Sequence, residues 1–250
     1  MRFLLLLLYL NLIPILADIC AVDEYVKLNY NSNSTVKYGG SACSGTSDCQ
    51  SKCTANSTCA GYTENGFSTV KAWGGSSYGG TDPGVINNIA DIFSTLAAFA
   101  ALKSDGSITA WGDSTKGGSG APTGTGYTNI FSANSAFAAM KSDGSITVWG
   151  DSTKGGSGAP TDTGYVNVFS AQYAFAALKS DGSITAWGDS SNGGSGAPTG
   201  TGYTKIFSTK QAFAALKSDG SITAWGDTSQ GGSGAPTGTG YTNIFSTDTA

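Results

Sequence analysis

Two short apolar runs, Phe99-Ala-Ala-Leu102 and Ile108-Thr-Ala-Trp111, flank the polar stretch Lys103-Ser-Asp-Gly-Ser107, and the whole segment 99–112 recurs almost letter for letter from 137, 175 and 213. Asp105-Gly106 reads as the two-residue turn of a β-hairpin, because Asp-Gly supplies the positive φ angles that such a turn demands. Folding about that turn pairs Leu102 with Thr109, Ala101 with Ala110 and Ala100 with Trp111. One face then carries Phe99, Ala101, Ile108 and Ala110, and the other Ala100, Leu102, Thr109 and Trp111. Neither face is mainly polar, whereas a hairpin with one wet face alternates apolar and polar positions. Both faces are therefore predicted to be covered by neighbouring sheets. The alanines let those sheets approach closely, and Phe99 and Trp111 fill the gaps. One copy cannot bury itself, but stacked copies can.

The tryptophans set the period. All five, Trp73, Trp111, Trp149, Trp187 and Trp225, are 38 residues apart, a spacing that marks a propeller, a solenoid or another array. The remainder of each repeat is a Gly/Ser/Pro loop (117–126 in the copy that starts at Phe99) and a further strand, Tyr127-Thr-Asn-Ile-Phe-Ser132. Three strands per repeat is one fewer than in most propeller blades. The fold class read from this pattern is all-β: a β-propeller or open propeller-like array over 67–250 with five repeat hairpins, preceded by a small disulfide-rich module, with a β-solenoid as the alternative. The first hairpin is degenerate. Asn65-Gly66 takes its turn, its second strand runs to Trp73, and Cys59 takes the slot of Phe99. Ala250 corresponds to Ala212, Ala174 and Ala136, so a phenylalanine is due next. The sequence thus reads as a fragment, or as an array whose ring is closed by the cysteine-rich end.

Residues 1–17 read as a secretory signal: Arg2 gives the positive start, 3–13 the apolar core and Ala17 a small residue for cleavage. The apolar run is short for a membrane span, and no other stretch suits one, so stable membrane insertion is not expected. Residues 18–66 hold all five cysteines, Cys20, Cys43, Cys49, Cys53 and Cys59, and two glycosylation sequons, at Asn33 and Asn56. In an oxidising compartment the cysteines should be mostly paired, and an odd number leaves one free or paired between chains. Metal binding is the weaker reading, because the chain has no histidine. Residues 47–55 suggest a short capped helix with Cys49 and Cys53 one turn apart. Losing Arg2 with the signal leaves 12 basic and 17 acidic residues, a formal charge of −5, with no basic stripe for nucleic acid. A secreted, extracellular protein is the expectation.

The segment Ala-Leu-Lys-Ser-Asp-Gly-Ser-Ile-Thr-Ala-Trp-Gly-Asp-Ser-Thr-Lys-Gly resembles the repeat of the regulator of chromosome condensation superfamily: an apolar strand, an Asp-Gly turn, a Val/Ile strand ending in Trp-Gly, and a small polar loop closing on Gly. The resemblance spans roughly three quarters of the chain. The short period is closer to the secreted β-lactamase inhibitor propeller of that superfamily, with three-stranded blades. The resemblance implies a β-propeller, seven-bladed in the family. The chain departs from the pattern where Gly118 and Ser119 replace the usual Gln and leucine-like residue, and where Ala98, Ala136, Ala174, Ala212 and Ala250 stand at a frequent histidine position. Nucleotide exchange, the function of the nuclear member, is therefore not carried over. Cys49-x3-Cys53-x5-Cys59-Ala-Gly-Tyr62 resembles the helix and strand of PAN/apple adhesion modules over about a dozen residues.

No catalytic constellation is visible. The absence of histidine removes the common Ser-His and Cys-His nucleophiles. Asp105 has a role in its turn, and Asp113 reads as an Asx-turn residue. A calcium loop on Asp113-Ser-Thr-Lys-Gly117 would offer one carboxylate, which is poor ligation. No cofactor and no metal are expected, and the chain reads as a non-enzyme. The differences between copies say more. The copies that start at Phe99 and Phe137 differ at only 7 of 38 positions, yet the tripeptide before Ala-Phe varies: Thr-Leu-Ala at 95, Ala-Asn-Ser at 133, Ala-Gln-Tyr at 171 and Thr-Lys-Gln at 209, with Thr-Asp-Thr at 247. A second variable pair reads Thr-Lys at 115 and 153, Ser-Asn at 191 and Ser-Gln at 229. Strand direction puts both patches at one end and the invariant Asp-Gly turns at the other, a layout suited to binding loops on a rigid scaffold. The candidate binding residues are Asn134, Ser135, Gln172, Tyr173, Lys210, Gln211 and Asp248, flanked by Lys116, Lys154, Asn192 and Gln230. An extracellular protein or glycan is the expected partner; by resemblance, the inhibitor relative grips its target enzyme with the corresponding tips. A structural coat or adhesion role without a specific ligand is one alternative, and a glycan-active propeller enzyme another.

Overall fold

The computed structural model describes residues 70–249, together with the backbone of the short strands Thr63–Glu64 and Phe67–Ser68. The leader, the five cysteines, Asn33, Asn56, the helix suggested at 47–55 and the slot of Cys59 lie outside the described residues. Two compact units are defined, one of Met1–Ala72 with Asp82–Asn88, the other of Trp73–Thr81 with Ile89–Ala250. In the first, β1 (Thr63–Glu64) pairs antiparallel with β2 (Phe67–Ser68) across Asn65-Gly66, the expected turn position. The second strand was expected to reach Trp73, but the strand is only Phe67–Ser68. Trp73 is 57% exposed, and the slot of its stacking phenylalanine is occupied in the sequence by Cys59.

The second unit is all-β, and no α-helix occurs among the described residues. Its four three-stranded antiparallel sheets repeat every 38 residues. Blade 1 is β3 (Ile89–Ser94), β4 (Ala98–Lys103) and β5 (Ile108–Gly112). Blade 2 is β6 (Tyr127–Ser132), β7 (Ala136–Lys141) and β8 (Ile146–Gly150). Blade 3 is β9 (Tyr165–Ser170), β10 (Ala174–Lys179) and β11 (Ile184–Gly188). Blade 4 is β12 (Tyr203–Ser208), β13 (Ala212–Lys217) and β14 (Ile222–Gly226). In each sheet the middle strand in sequence is the middle strand in space. Successive first strands approach one another more closely than the third strands do, so the sheets fan as blades rather than stack by translation. Among the described residues four regular hairpins are present, and the β1–β2 pair stands where the degenerate first hairpin is expected.

The hairpin register differs from the expectation by one residue. Phe99 pairs with Trp111, Ala100 with Ala110, Ala101 with Thr109 and Leu102 with Ile108. The cause is the turn. The Lys103 N–H donates to the Ser107 carbonyl, and the Gly106 N–H to the Lys103 carbonyl, leaving a three-residue loop in which only Gly106 takes a positive φ, of 75°. That is a type I turn closed by a left-handed glycine. The Asp105 carboxylate holds it by accepting from both the N–H and the hydroxyl of Ser107.

The corrected register gathers both rings on one face and leaves the other aliphatic. Phe99, Ala101, Thr109 and Trp111 share one face, and Ala98, Ala100, Leu102, Ile108 and Ala110 the other. The rings of Phe and Trp stack at 5.0–5.4 Å between centroids in all four blades. The small-residue face of each blade receives the aromatic face of the next. Ala98, Ala100 and Leu102 pack with Tyr127, Ile130, Phe137 and Trp149. Ala136, Ala138 and Ile146 pack with Tyr165, Val168, Phe175 and Trp187, and the third interface repeats the pattern with Phe213 and Trp225. Each fully buried large side chain contributes about 1.5–3 kcal/mol. The indole N–H groups of Trp149, Trp187 and Trp225 donate to Gly117, Gly155 and Gly193 of the preceding loop at 3.0–3.2 Å. Trp111 has no such partner.

Candidate functional site at the variable end of the blades

The first strand of each blade ends on a serine, and the variable tripeptide follows it. Four copies of this corner surround a cavity of about 450 Å³. Its lining comes from the same three positions of successive repeats: 132–134, 170–172, 208–210 and 246–248. The corners are held in a row by the backbone. The Leu96 N–H donates to the Asn134 carbonyl (3.1 Å), that of Asn134 to Gln172 (3.0 Å), that of Gln172 to Lys210 (2.7 Å), and that of Lys210 to Asp248 (2.9 Å). Every variable central residue therefore sits on one fixed main-chain ladder, while its side chain is free to differ.

The second variable patch lies beside the first. It falls on the 3-10 turns Ser114–Lys116, Ser152–Lys154, Ser190–Asn192 and Thr228–Gln230. The Thr95 hydroxyl donates to the Lys116 carbonyl at 3.0 Å, and the Thr209 hydroxyl to that of Gln230 at 2.9 Å. The Lys154 ammonium lies 4.2 Å from the centre of the Tyr173 ring. Gln172 Nε2 donates to the Tyr173 hydroxyl at 3.3 Å. Lys210 and Asp248 form an exposed ion pair at 2.7 Å. Such a pair contributes little to stability, about 0–1 kcal/mol. The mouth thus presents amides, hydroxyls and one internally neutralised pair.

Two of the named candidates do not face solvent. Ser135 is 1% exposed: its carbonyl accepts the Asp151 N–H, and the third tripeptide position turns inward, as at the buried Ala97. The larger Tyr173 and Gln211 reach partly out from that position. Asn192 is 5% exposed, and its Oδ1 has no hydrogen-bond partner. Asn134, Gln172, Tyr173, Gln211, Lys116, Lys154 and Gln230 are partly exposed, and Lys210 and Asp248 are exposed. Ser132, Ser170, Ser208 and Ser246 line the cavity but were not among the candidates. Their signal was present in the sequence, since every Phe-Ser strand end repeats unchanged.

The recurrent acids are engaged in their own turns. The Asp113 carboxylate accepts from the N–H and hydroxyl of Thr115, and Asp151 does the same with Thr153. Those hydroxyl bonds hold both carboxyls below the ordinary aspartate range. Among the described residues, no group of three or more His, Cys, Asp or Glu gathers in a way that could hold a metal ion. Nor is any helix among them long and apolar enough to cross a membrane.

Fold and mouth together define the class: a β-protein of propeller type, with three-stranded blades and a polar cavity at its variable end. No protein-family model matches the chain, and no curated protein matches it in sequence. Solved structures similar to it include the CRINKLY WD40 ectodomain of the Arabidopsis thaliana receptor kinase ACR4, at 17% identity and TM-score 0.45, covering 60% of this chain and 53% of that one. Another is Prp20p of Saccharomyces cerevisiae, at 16% and 0.42, covering 57% and 44%. A third is the ectodomain of the Physcomitrella patens receptor kinase CR4, at 14% and 0.44, covering 55% and 41%. The matches span about half, or less, of the length of these structures.

Proposed function

We propose that this chain is a secreted, non-catalytic binding protein whose variable end holds an extracellular protein or glycan. The observation that carries the reading is the convergence of the most variable positions, Asn134, Gln172, Lys210 and Asp248, on one cavity in an otherwise near-identical array. Divergence is concentrated where a ligand would read it, on a scaffold that fixes each position by a main-chain bond. Tyr173 is the anchor of choice, since an aromatic with a polar tip suits a hot spot, and its loss can cost about 2 kcal/mol or more of binding. The secreted location rests on residues 1–17. The non-catalytic reading rests on the recurrent carboxylates, each bonded into its own turn, where a glycan-cleaving site would need two facing one cleft.

The test replaces the tripeptides 133–135, 171–173 and 209–211 with one common sequence. Binding to glycan arrays and to extracellular proteins is compared with that of a variant altered at Lys103, Lys141 and Lys179 at the opposite end. Loss of binding in the tripeptide variant alone supports the reading. Equal binding by both variants, with unchanged melting temperature, refutes it in favour of a structural coat role. Turnover of a bound glycan that is lost when one aspartate is changed would overturn the non-catalytic reading.

A further inference from the structure

The loop that joins one blade to the next carries the segment Ala-Pro-Thr-x-Thr in each of four copies, at 121–125, 159–163, 197–201 and 235–239. The first threonines, Thr123, Thr161, Thr199 and Thr237, and the second, two residues further on, are all exposed. Most other threonines of the array have work for their hydroxyls. Thr115 and Thr153 bond aspartates, Thr128 and Thr204 bond strand carbonyls, and Thr147, Thr185 and Thr223 bond tyrosine hydroxyls. Among the described residues, no hydrogen bond joins any of the eight loop hydroxyls.

The backbone of these segments is equally unengaged. In the first loop the flanking N–H groups are fixed, Gly118 to Asp113 and Gly126 to Asp105, but no main-chain bond is made from 119 to 125. The other three loops repeat this arrangement. An exposed loop with Pro before Thr and no main-chain bonds of its own is what an enzyme that modifies threonine hydroxyls can reach, and Ser/Thr-rich sequence with Pro is the composition of O-glycosylated extracellular chains. No core contact depends on the hydroxyls, so a sugar on them displaces nothing.

We propose that these loops are O-glycosylation sites, each threonine accepting a hexose or N-acetylhexosamine from an activated glycosyl phosphate ester. The threonine Oγ1 attacks the anomeric carbon, the bond from that carbon to the phosphate oxygen breaks, and the hydroxyl proton passes to a base of the transferase; no oxidation is involved. The segments end beside the Asp-Gly turns, where Gly126, Gly164, Gly202 and Gly240 bond the carbonyls of Asp105, Asp143, Asp181 and Asp219. Glycans there coat the invariant end and leave the cavity at the variable end open. The proposal rests on the secreted reading.

The test uses the protein from its source, with glycans on Asn33 and Asn56 removed enzymatically. Intact mass is measured before and after alkaline β-elimination, and modified residues are mapped by fragmentation that preserves the sugar. The expected result is sugar mass on the Ala-Pro-Thr loops, lost on elimination. Released N-acetylhexosamine points to a nucleotide-sugar donor and mannose to a lipid-phosphate donor, and either supports the site. Substituting Thr123→Ala, Thr161→Ala, Thr199→Ala and Thr237→Ala together should remove the sugar from those positions without moving the melting temperature. A mass equal to the bare polypeptide, or sugar confined to other residues, overturns the proposal. Recovery of that bare protein from the medium with residues 1–17 removed would leave the secreted reading intact, whereas retention inside the cell with the leader uncut would fail both.

Discussion

Phe175→Ala tests how the array is held together. The ring of Phe175 is 0% exposed, stacks on Trp187 at 5.4 Å, and meets the alanine face of blade 2 through Ala136 and Ala138. Nothing in the interface can collapse far into the gap, because the facing residues are alanines on a hydrogen-bonded sheet. The deletion should therefore fall in the upper range for such changes, about 3–5 kcal/mol. The lost aromatic pair accounts for about 0.5–1.5 kcal/mol of that beyond its area. Phe99 in blade 1 makes the same stack but is only partly buried, so Phe99→Ala should cost less, about 1–2 kcal/mol. In an array, stability is approximately a sum of repeat and nearest-neighbour terms. The Phe175 variant should therefore uncouple blades 2 and 3 rather than weaken the chain evenly. Urea unfolding followed by tryptophan fluorescence gives the total loss, and hydrogen exchange gives its location. Protection should fall most in β7 and β10, the strands that face each other across the gap. Equal cost for the two variants, or a Phe175 loss under about 1 kcal/mol, would refute the packing account.

Three further outcomes follow from named contacts. Trp149→Phe should cost about 1 kcal/mol more than Trp111→Phe in urea titrations, because only the indole N–H of Trp149 has an acceptor to lose. Gly155 has φ +97°, and a Cβ there would lie 2.7 Å from the Phe175 ring, whereas Gly124 has φ +104° with open space around it. Gly124→Ala should thus show backbone strain alone, about 1–2 kcal/mol, and Gly155→Ala that strain plus about 1–3 kcal/mol of overpacking, read as separate shifts in melting temperature. Hydrogen bonds from Ser107, Ser145, Ser183 and Ser221 hold the carboxyls of Asp105, Asp143, Asp181 and Asp219 below the ordinary value of 3.8. Their stabilisation is present above the unfolded pKa and is lost as pH falls through the lower folded one. The melting temperature should accordingly hold from neutral pH to about 5 and drop below about 4, and Ser107→Ala with its three counterparts should flatten that drop.

Periodicity carried most of the fold, because a 38-residue repeat with apolar residues on both hairpin faces leaves few ways to bury them. The register did not follow from Asp105-Gly106, since the same dipeptide serves a two-residue turn and a three-residue one. What decides is the bond from Ser107 to the Asp105 carboxylate, which keeps Asp105 out of the left-handed region and leaves that conformation to Gly106 alone. The one-residue shift moved Phe99 and Trp111 onto the same face, and so turned two faces with one ring each into one that holds both rings and one, aliphatic, that holds none. At the site, comparing copies located the variable ends but not their depth. Ser135 is small enough to turn inward where Tyr173 is not, and only the packing separates the two. The cavity serines are identical in every copy, so differences between copies do not mark them.

The few changes inside the blades show why the tips are where this array can diverge. Val148 stands where the other blades have alanine at 110, 186 and 224, which adds volume to the small face of blade 2. Its neighbour in the same cluster is Val168, where the other first strands have isoleucine at 92, 130 and 206, which removes volume from the facing blade. Valine for alanine adds two carbons on one side and valine for isoleucine removes one on the other, so the gain is offset in part, as a close-packed interior favours. Because each face serves the same interface in every repeat, an unmatched change between blades is penalised wherever it falls. The corner residues 134, 172, 210 and 248 lie outside that packing: their backbones are bonded in a row, their side chains line the cavity or reach solvent, and where two of them meet, at Lys210 and Asp248, the pair is exposed and weak. Selection for a ligand can therefore act on them one blade at a time without disturbing the packing that presents them.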